Sequence, residues 1–269
     1  MGKIIAFANQ KGGVGKTTTC LNISAYMALM GKKVLLVDID PQGNATSGLG
    51  YQKNSDINSI YQVISEDCLP EEAIVKTNVD NLDLLPANLD LAGVEVELVS
   101  KKDREKIFKK IMDRVKGSYD YITIDCPPSL GLITVNALTA ADSVCIPMQC
   151  EFFSLEGLSQ LMNSIRLIKK TGLNPDLQIE GVVLTMRDSR SNLGKQVAEE
   201  IIKFFGSAVF ETSIPRNVRL AESPSYGMPV VLYDKNCSGS QAYLRLTEEI
   251  LTKNNDKFKK LKIKKEFKR

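Results

Sequence analysis

Short uninterrupted apolar runs alternate along the chain with longer stretches in which apolar residues recur every three or four positions. The runs have the pattern of strands buried on both faces and the longer stretches that of covering helices. Their alternation predicts a parallel sheet with crossover helices, an α/β fold. Lys3 to Asn9 (KIIAFAN) reads as a first buried strand, Thr17 to Met30 as a helix closed by Gly31, and Lys33 to Asp38 (KVLLVD) as a second strand. Residues 82–85, 121–125, 143–148, 179–185 and 208–210 are expected to add strands, and 103–116, 154–170, 191–205 and 238–252 to add helices. No repeat and no Pro/Ser-rich linker divides the chain, so one domain over 1–252 is expected, followed by a basic tail over 253–269.

Composition narrows the classes. With 43% hydrophobic and 25% charged residues, the chain has the material of an ordinary globular core. No apolar run approaches the length of a bilayer span, and a strand-like segment begins directly after Met1, which predicts a cytoplasmic protein. The six cysteines form no CxxC pair, so neither a zinc ribbon nor a dithiol motif is supported. Histidine is absent, which removes every mechanism built on a Ser/His or Cys/His pair. The net charge of +3 is unevenly spread: residues 253–269 hold nine Lys or Arg against two acids, and taking that +7 away leaves the body at −4. Attraction to a polyanion must therefore come from local patches or from the tail. The tail's apolar residues Phe258, Leu261, Ile263 and Phe267 share no clean helical face, so a frayed, solvated end is expected.

The first strand runs directly into Lys11-Gly12-Gly13-Val14-Gly15-Lys16-Thr17-Thr18, and a helical pattern follows at once. Gly12, Gly13 and Gly15 let the backbone turn sharply and turn N–H groups toward phosphate oxygens, while the helix beginning near Lys16 points its positive end at them. Lys16 supplies a point charge for the outer phosphates of ATP, and the Thr17 hydroxyl a ligand for Mg²⁺. Gln10 stands where the ordinary GxxxxGK[ST] pattern has its first glycine, and Lys11 is an additional lysine.

Three carboxylates accompany this loop. Asp125 ends the strand-like YDYITID at the carboxyl edge of the sheet and is the expected holder of magnesium. Asp38 and Asp40 close the second strand in VDIDPQGNAT, and alternation in an extended segment points both to the same side. With no histidine available, Asp40 is the candidate for positioning and polarising the attacking water, and Asp38 is expected in a supporting place near Lys16 and the metal.

KGGVGKT, DIDPQGNATSG, DCPPSLG and IPRNVRLAESPSYG, in that order, together resemble the ParA/Soj group of partition ATPases, of the deviant Walker A class that also contains MinD. The resemblance runs from about residue 3 to 250. It implies a P-loop ATPase that forms a homodimer in its ATP state and binds double-stranded DNA without sequence preference. It further implies release by a ParB/Spo0J-type partner that stimulates hydrolysis, in a cytoplasmic, nucleoid-associated cycle that partitions chromosome or plasmid. Carried over, Lys11 is similar to the lysine that reaches the partner subunit's nucleotide, Gly12 to the glycine of the tight dimer contact, and Asp40 to the hydrolysis residue. Pro215 and Asn217 resemble the segment lining the adenine, and Arg190 and Arg219 the arginines that contact DNA, a stripe that Arg187, Lys195 and Lys203 would widen. The early first strand leaves no room for the amino-terminal helix-turn-helix of larger plasmid members, so operator-specific repression is not expected. The alternative, a MinD-like membrane-cycling ATPase, requires the tail to be an amphipathic anchor.

Overall fold

The computed structural model describes residues 2–52, 57–151, 154–188 and 190–261, with residues 154–156 described by backbone alone. Seven strands form one sheet: β1 (Lys3–Phe7), β2 (Val34–Asp38), β3 (Val75–Lys76), β4 (Leu82–Leu85), β5 (Tyr121–Asp125), β6 (Ser143–Gln149) and β7 (Gln178–Thr185). Their order is β3-β4-β2-β5-β1-β6-β7, parallel throughout except for the short β3 at one edge. β1 therefore lies inside the sheet between β5 and β6, and side chains along it and just beyond divide by alternation: Ile4, Ala6 and Ala8 enter the core on one face, Ile5 and Phe7 the core on the other. Burial on both faces is what made the strand sequences read as unbroken apolar runs.

The first helix, α1 (Lys16–Leu29), is buried along nearly its whole circumference, between the sheet and the helix Ser238–Lys253. Its polar residues are matched one by one. Ser24 hydrogen-bonds Thr123 of β5 at 2.7 Å, Thr19 pairs with Tyr243 at 3.0 Å, and Tyr26 pairs with Ser240 at 2.7 Å. Each match removes the desolvation cost of a buried hydroxyl, so the helix carrying the glycine-rich loop is fixed from both sides.

Several expectations change. Residues 208–210 do not extend the sheet: the chain turns at Gly206 (φ 55), and Val209 makes a single parallel bridge to Val182. Phe210 packs where a Cβ on Gly181 would sit, 2.3 Å from its ring, so the segment serves as a plug. The helix expected over 103–116 is regular only over Ile107–Val115, with a tight turn on each side. A helix at Leu132–Ala140 was hidden because its sequence, LITVNALTA, has no polar face.

The tail is not frayed at its start. Asn254 bridges Lys3 and the buried Glu180 (2.6 and 2.9 Å), Asp256 pairs with Lys32 and accepts from the Tyr121 hydroxyl, and the Lys259 N–H donates to the Met30 carbonyl at 3.1 Å. Phe258 and Leu261 rest against the core. Ile263 and Phe267 lie outside the described residues. Glu180 is 2% exposed, accepts from Ser143 at 2.6 Å and forms an ion pair with Lys3 at 2.5 Å. Lys3→Ala is expected to lower stability by about 1–3 kcal/mol, since it leaves a buried carboxylate without its cation, discounted because Lys3 is partly exposed. Urea unfolding with an unchanged slope and a lower midpoint checks it.

Candidate functional site

The loop between β1 and α1 lies at the carboxyl edge of the sheet, flanked by the ends of β5 and β6. Gly13 and Gly15 have φ of 71° and 82°, a region costly for other residues, and a Cβ on Gly13 would meet nothing within 4 Å. Carbonyls of the loop are drawn away from its mouth: Gln149, at the end of β6, donates to the Gly13 oxygen at 3.2 Å, and Thr185, at the end of β7, donates to the Val14 oxygen at 2.7 Å. Asn9 accepts from the Lys11 N–H at 3.0 Å. Val14 is buried and anchors the loop. The first turn of α1, Lys16 to Thr18 onward, has no side-chain cap at Gly15, so its N–H groups face outward as a positive end. Gln149 and Thr185 escaped the sequence reading. Their signal was a polar residue at the carboxyl end of an otherwise apolar strand.

Parallel register sets the carboxylates. Asp38 of β2 is directly opposite Asp125 of β5, so the two side chains share one face of the sheet edge, and both are fully buried. Asp38 accepts from the Thr46 N–H and hydroxyl, both at 2.8 Å, and from the Asp40 N–H at 3.2 Å. It thereby ties the loop after β2 to the sheet. Burial pushes its carboxyl up to about 6, against the pull of the Thr46 hydrogen bonds. Asp125 is different: neither oxygen has a hydrogen-bond partner. Burial first, and the Asp38 charge second, push its pKa well up. The Thr17 hydroxyl stands near without meeting hydrogen-bond geometry and offsets part of the rise. Lys16 is 6% exposed and hydrogen-bonded to the Lys11 carbonyl at 3.3 Å; burial lowers its pKa while Asp125 and, more weakly, Asp40 hold it up. Asp40 is 7% exposed and accepts from the Gln42 N–H at 2.9 Å. Thus Asp40 and Asp125 are the acids whose charge reaches Lys16, while Asp38 is engaged by the loop.

A buried carboxylate with no partner, beside a threonine hydroxyl and a lysine, is an arrangement that a hydrated divalent cation completes. Among the described residues no group of three His, Cys, Asp or Glu could hold an ion by itself, so such an ion would need oxygens from outside the protein. Thr17 and Asp125 are the residues that fit it.

Beside the loop a cavity of about 330 Å³ is lined by Gly15, Thr18, Met186, Pro215, Asn217 and Tyr243, among others. Pro215 is brought there by a parallel bridge to Arg187, just beyond β7, and Met186 holds a left-handed φ of 49° at its wall. The dimensions and partly apolar lining suit a flat heterocycle joined to a phosphate chain in the loop. A larger hollow of about 630 Å³ lies at the opposite, strand-start edge around Lys3, Ser143 and Gln178, away from every residue described above.

Lys11 leans outward to Glu151 at 2.7 Å, and Arg216 reaches the same carboxylate at 3.8 Å. Gly12 is exposed, and a Cβ there would meet only Pro128 at 4.0 Å. Arg190 is 89% exposed and paired with Asp188 at 3.2 Å. Arg219, on the helix Val218–Glu222, is paired with Glu222 at 2.8 Å. Lys195 and Lys203 lie exposed on the helix Asn192–Phe205. Neither arginine touches the cavity wall.

Between the ordinary aspartate value and about 6, folded Asp38 retains a proton that the unfolded chain has released. Its contribution to stability is therefore present below pH 4 and lost as pH rises through 6. The stability of the ligand-free protein relative to its Asp38→Asn variant is expected to fall between pH 4 and pH 7 in parallel urea titrations; a constant difference contradicts it.

The profile described as AAA domain matches residues 2–179. The sporulation initiation inhibitor protein Soj of Bacillus subtilis is 58% identical over 250 residues, which cover 93% of this chain and 98% of that protein. The chromosome partitioning protein ParA of Caulobacter vibrioides is 49% identical over 257 residues, covering 95% and 96%. A solved structure from Mycobacterium smegmatis, described as cobyrinic acid a,c-diamide synthase with bound ATP analog and magnesium, superposes with a TM-score of 0.84 at 36% identity, covering 96% and 98%. Given a loop, carboxyl edge and cavity built for a nucleotide, and likeness of this extent to Soj and ParA, the chain belongs to the ParA/Soj family of chromosome-partitioning ATPases.

Proposed function

We propose that the protein is an ATP-operated switch: an ATPase that dimerises in its ATP state, then binds double-stranded DNA without sequence preference, and is released when a ParB/Spo0J-type partner stimulates hydrolysis. The observation that carries this reading is the outward-facing edge of the phosphate loop. Among the described residues the Lys11 ammonium is held by the exposed Glu151 carboxylate, and none comes closer than 4.0 Å to where a Cβ on Gly12 would sit. A lysine and a glycine built for an approach from outside suit a second subunit placed across the nucleotide.

In this reading ATP lies with its phosphates over Gly12 to Thr18 and its adenine in the cavity at Pro215 and Asn217. Lys16 neutralises the outer phosphates from within the subunit, and Lys11 leaves Glu151 to do so across the interface. Magnesium, held through Thr17 and Asp125, would neutralise charge on the same phosphates. Asp40, close to Lys16 and with its turn fixed by Gln42 and Gly43, orients the attacking water. Arg190 and Arg219, doubled by dimerisation, give a phosphate-binding stripe that one subunit lacks, so ATP changes avidity without altering any single contact. The site of action is the nucleoid within the cytoplasm. The membrane-cycling alternative needs free apolar residues in the tail, and Phe258 and Leu261 are instead packed on the core.

Retention on random-sequence duplex, measured in ATP, ADP and no nucleotide, tests the proposal. Wild type is expected to bind only in ATP, with affinity falling steeply in salt. Lys16→Ala is expected never to bind, whereas Asp40→Ala stays bound while hydrolysis drops by about 10²-fold or more. Equal retention of both variants contradicts the assigned roles. Gly12→Val should keep ATP affinity in calorimetry yet remain monomeric in light scattering; a dimer of that variant removes the interface proposed here.

A further inference from the structure

The five-residue helix Val218–Glu222 borders two surfaces. Val218, Leu220 and Ala221 contribute to the nucleotide cavity, and Arg219 and Glu222 do not. The Arg219 guanidinium is instead enclosed by acids. Its Nη1 donates to Glu222 Oε2 at 2.8 Å, its Nε lies 3.6 Å from Asp234 Oδ2, and its Cζ lies 6.0 Å from the centre of the Tyr233 ring. These partners are themselves held. The Tyr233 hydroxyl donates to the same Glu222 oxygen at 3.1 Å, Tyr226 stacks on Tyr233 at 5.0 Å, and Asp234 Oδ1 accepts from the N–H groups of Asn236 and Cys237. Arg190 repeats the theme more loosely, hydrogen-bonded to Asp188.

We infer that Glu222 and Asp234 belong to the duplex-binding surface as competitors of DNA phosphate for Arg219, setting how tightly that arginine engages the backbone. The inference rests on the reading that Arg219 contacts DNA. Carboxylate and phosphate both present anionic oxygens that accept from a guanidinium, so a phosphate can take the place that Glu222 Oε2 holds on Nη1 and that Asp234 Oδ2 holds beside Nε. Exposed pairs of this kind are weak, so phosphate displaces the acid rather than being shut out. The cost is met once per subunit, and in a lone chain the two acids offset the charge of Arg219. The combined phosphate contacts of a dimer outweigh it more readily than those of one chain. Because Asn217 both caps the Arg219 N–H at 2.8 Å and lines the cavity, the position of the clamp is tied to the wall that receives the adenine.

Affinity for a random-sequence duplex in ATP, read by fluorescence anisotropy across a salt series, tests this. Glu222→Gln keeps the size of the side chain and removes its charge. It is expected to tighten binding about threefold for each arginine, hence about tenfold for the dimer. Glu222→Ala, which also loses the contact with Tyr233, is expected to do the same. Asp80→Asn removes an equal charge from an exposed position in the turn before β4, on the strand-start edge, and is expected to change affinity less than about twofold. If Glu222→Gln gains no more than Asp80→Asn while Arg219→Ala weakens binding, the competition is overturned and the arginine's role stands. If Arg219→Ala binds like wild type, the role of the arginine fails, and the inference with it.

Discussion

Everything at the carboxyl edge of this sheet follows from one electrostatic constraint: two fully buried aspartates, Asp38 and Asp125, in register on neighbouring parallel strands. Two buried carboxylates so close cannot both be charged unless something answers them. Thr46 and the Asp40 backbone answer Asp38, and Lys16 answers part of Asp125. The remaining deficit is what makes the edge a receptor. A polyanion alone would worsen the Asp125 charge; a polyanion accompanied by a divalent cation relieves it and simultaneously occupies the loop's N–H groups and Lys16.

The other cations of the site are kept by partners of a different kind. Lys11 and Arg216 share Glu151, Arg190 has Asp188, and Arg219 has Glu222 and Asp234, all at exposed or half-exposed positions where an ion pair adds little stability. Inside, Asp38 is matched by fixed hydrogen bonds and Asp125 is left for a ligand to answer; outside, cations are matched by acids that a phosphate can displace. That division separates the parts of the molecule that define the fold from those available to respond to a ligand.

Much of this was legible in the sequence because the chemistry is local. The glycine-rich loop between a strand and a helix, Asp125 closing YITID, and the apolar runs of β1, β2, β5, β6 and β7 are all contiguous signals, and the structure reproduces them to within one or two residues. What escaped was whatever depends on distant partners. Gln149 and Thr185 hold the loop carbonyls from strands more than 130 residues away. Alternation places Asp38 and Asp40 on one side, but nothing local indicates that Thr46 occupies Asp38. The Leu132–Ala140 helix, apolar on every side, gave no period to read. The start of the tail misled for the same reason: its apolar residues share no helical face and so read as frayed, whereas Asn254 and Asp256 find their partners on β1, β5 and the turn after α1, and Phe258 packs on the core.

The tail's anchorage also constrains how it can act. Lys3 begins β1, Tyr121 begins β5 and Ser143 begins β6, so residues 254–261 are fastened along the strand-start edge, opposite the phosphate loop. Held there, these residues cannot themselves grip a nucleotide or answer its loss. Whatever attraction their lysines exert on a polyanion is therefore the same for each chain in every nucleotide state, and it changes only with the number of chains that are joined. A switch that works by joining chains multiplies such a background attraction without needing any tail residue to sense the nucleotide.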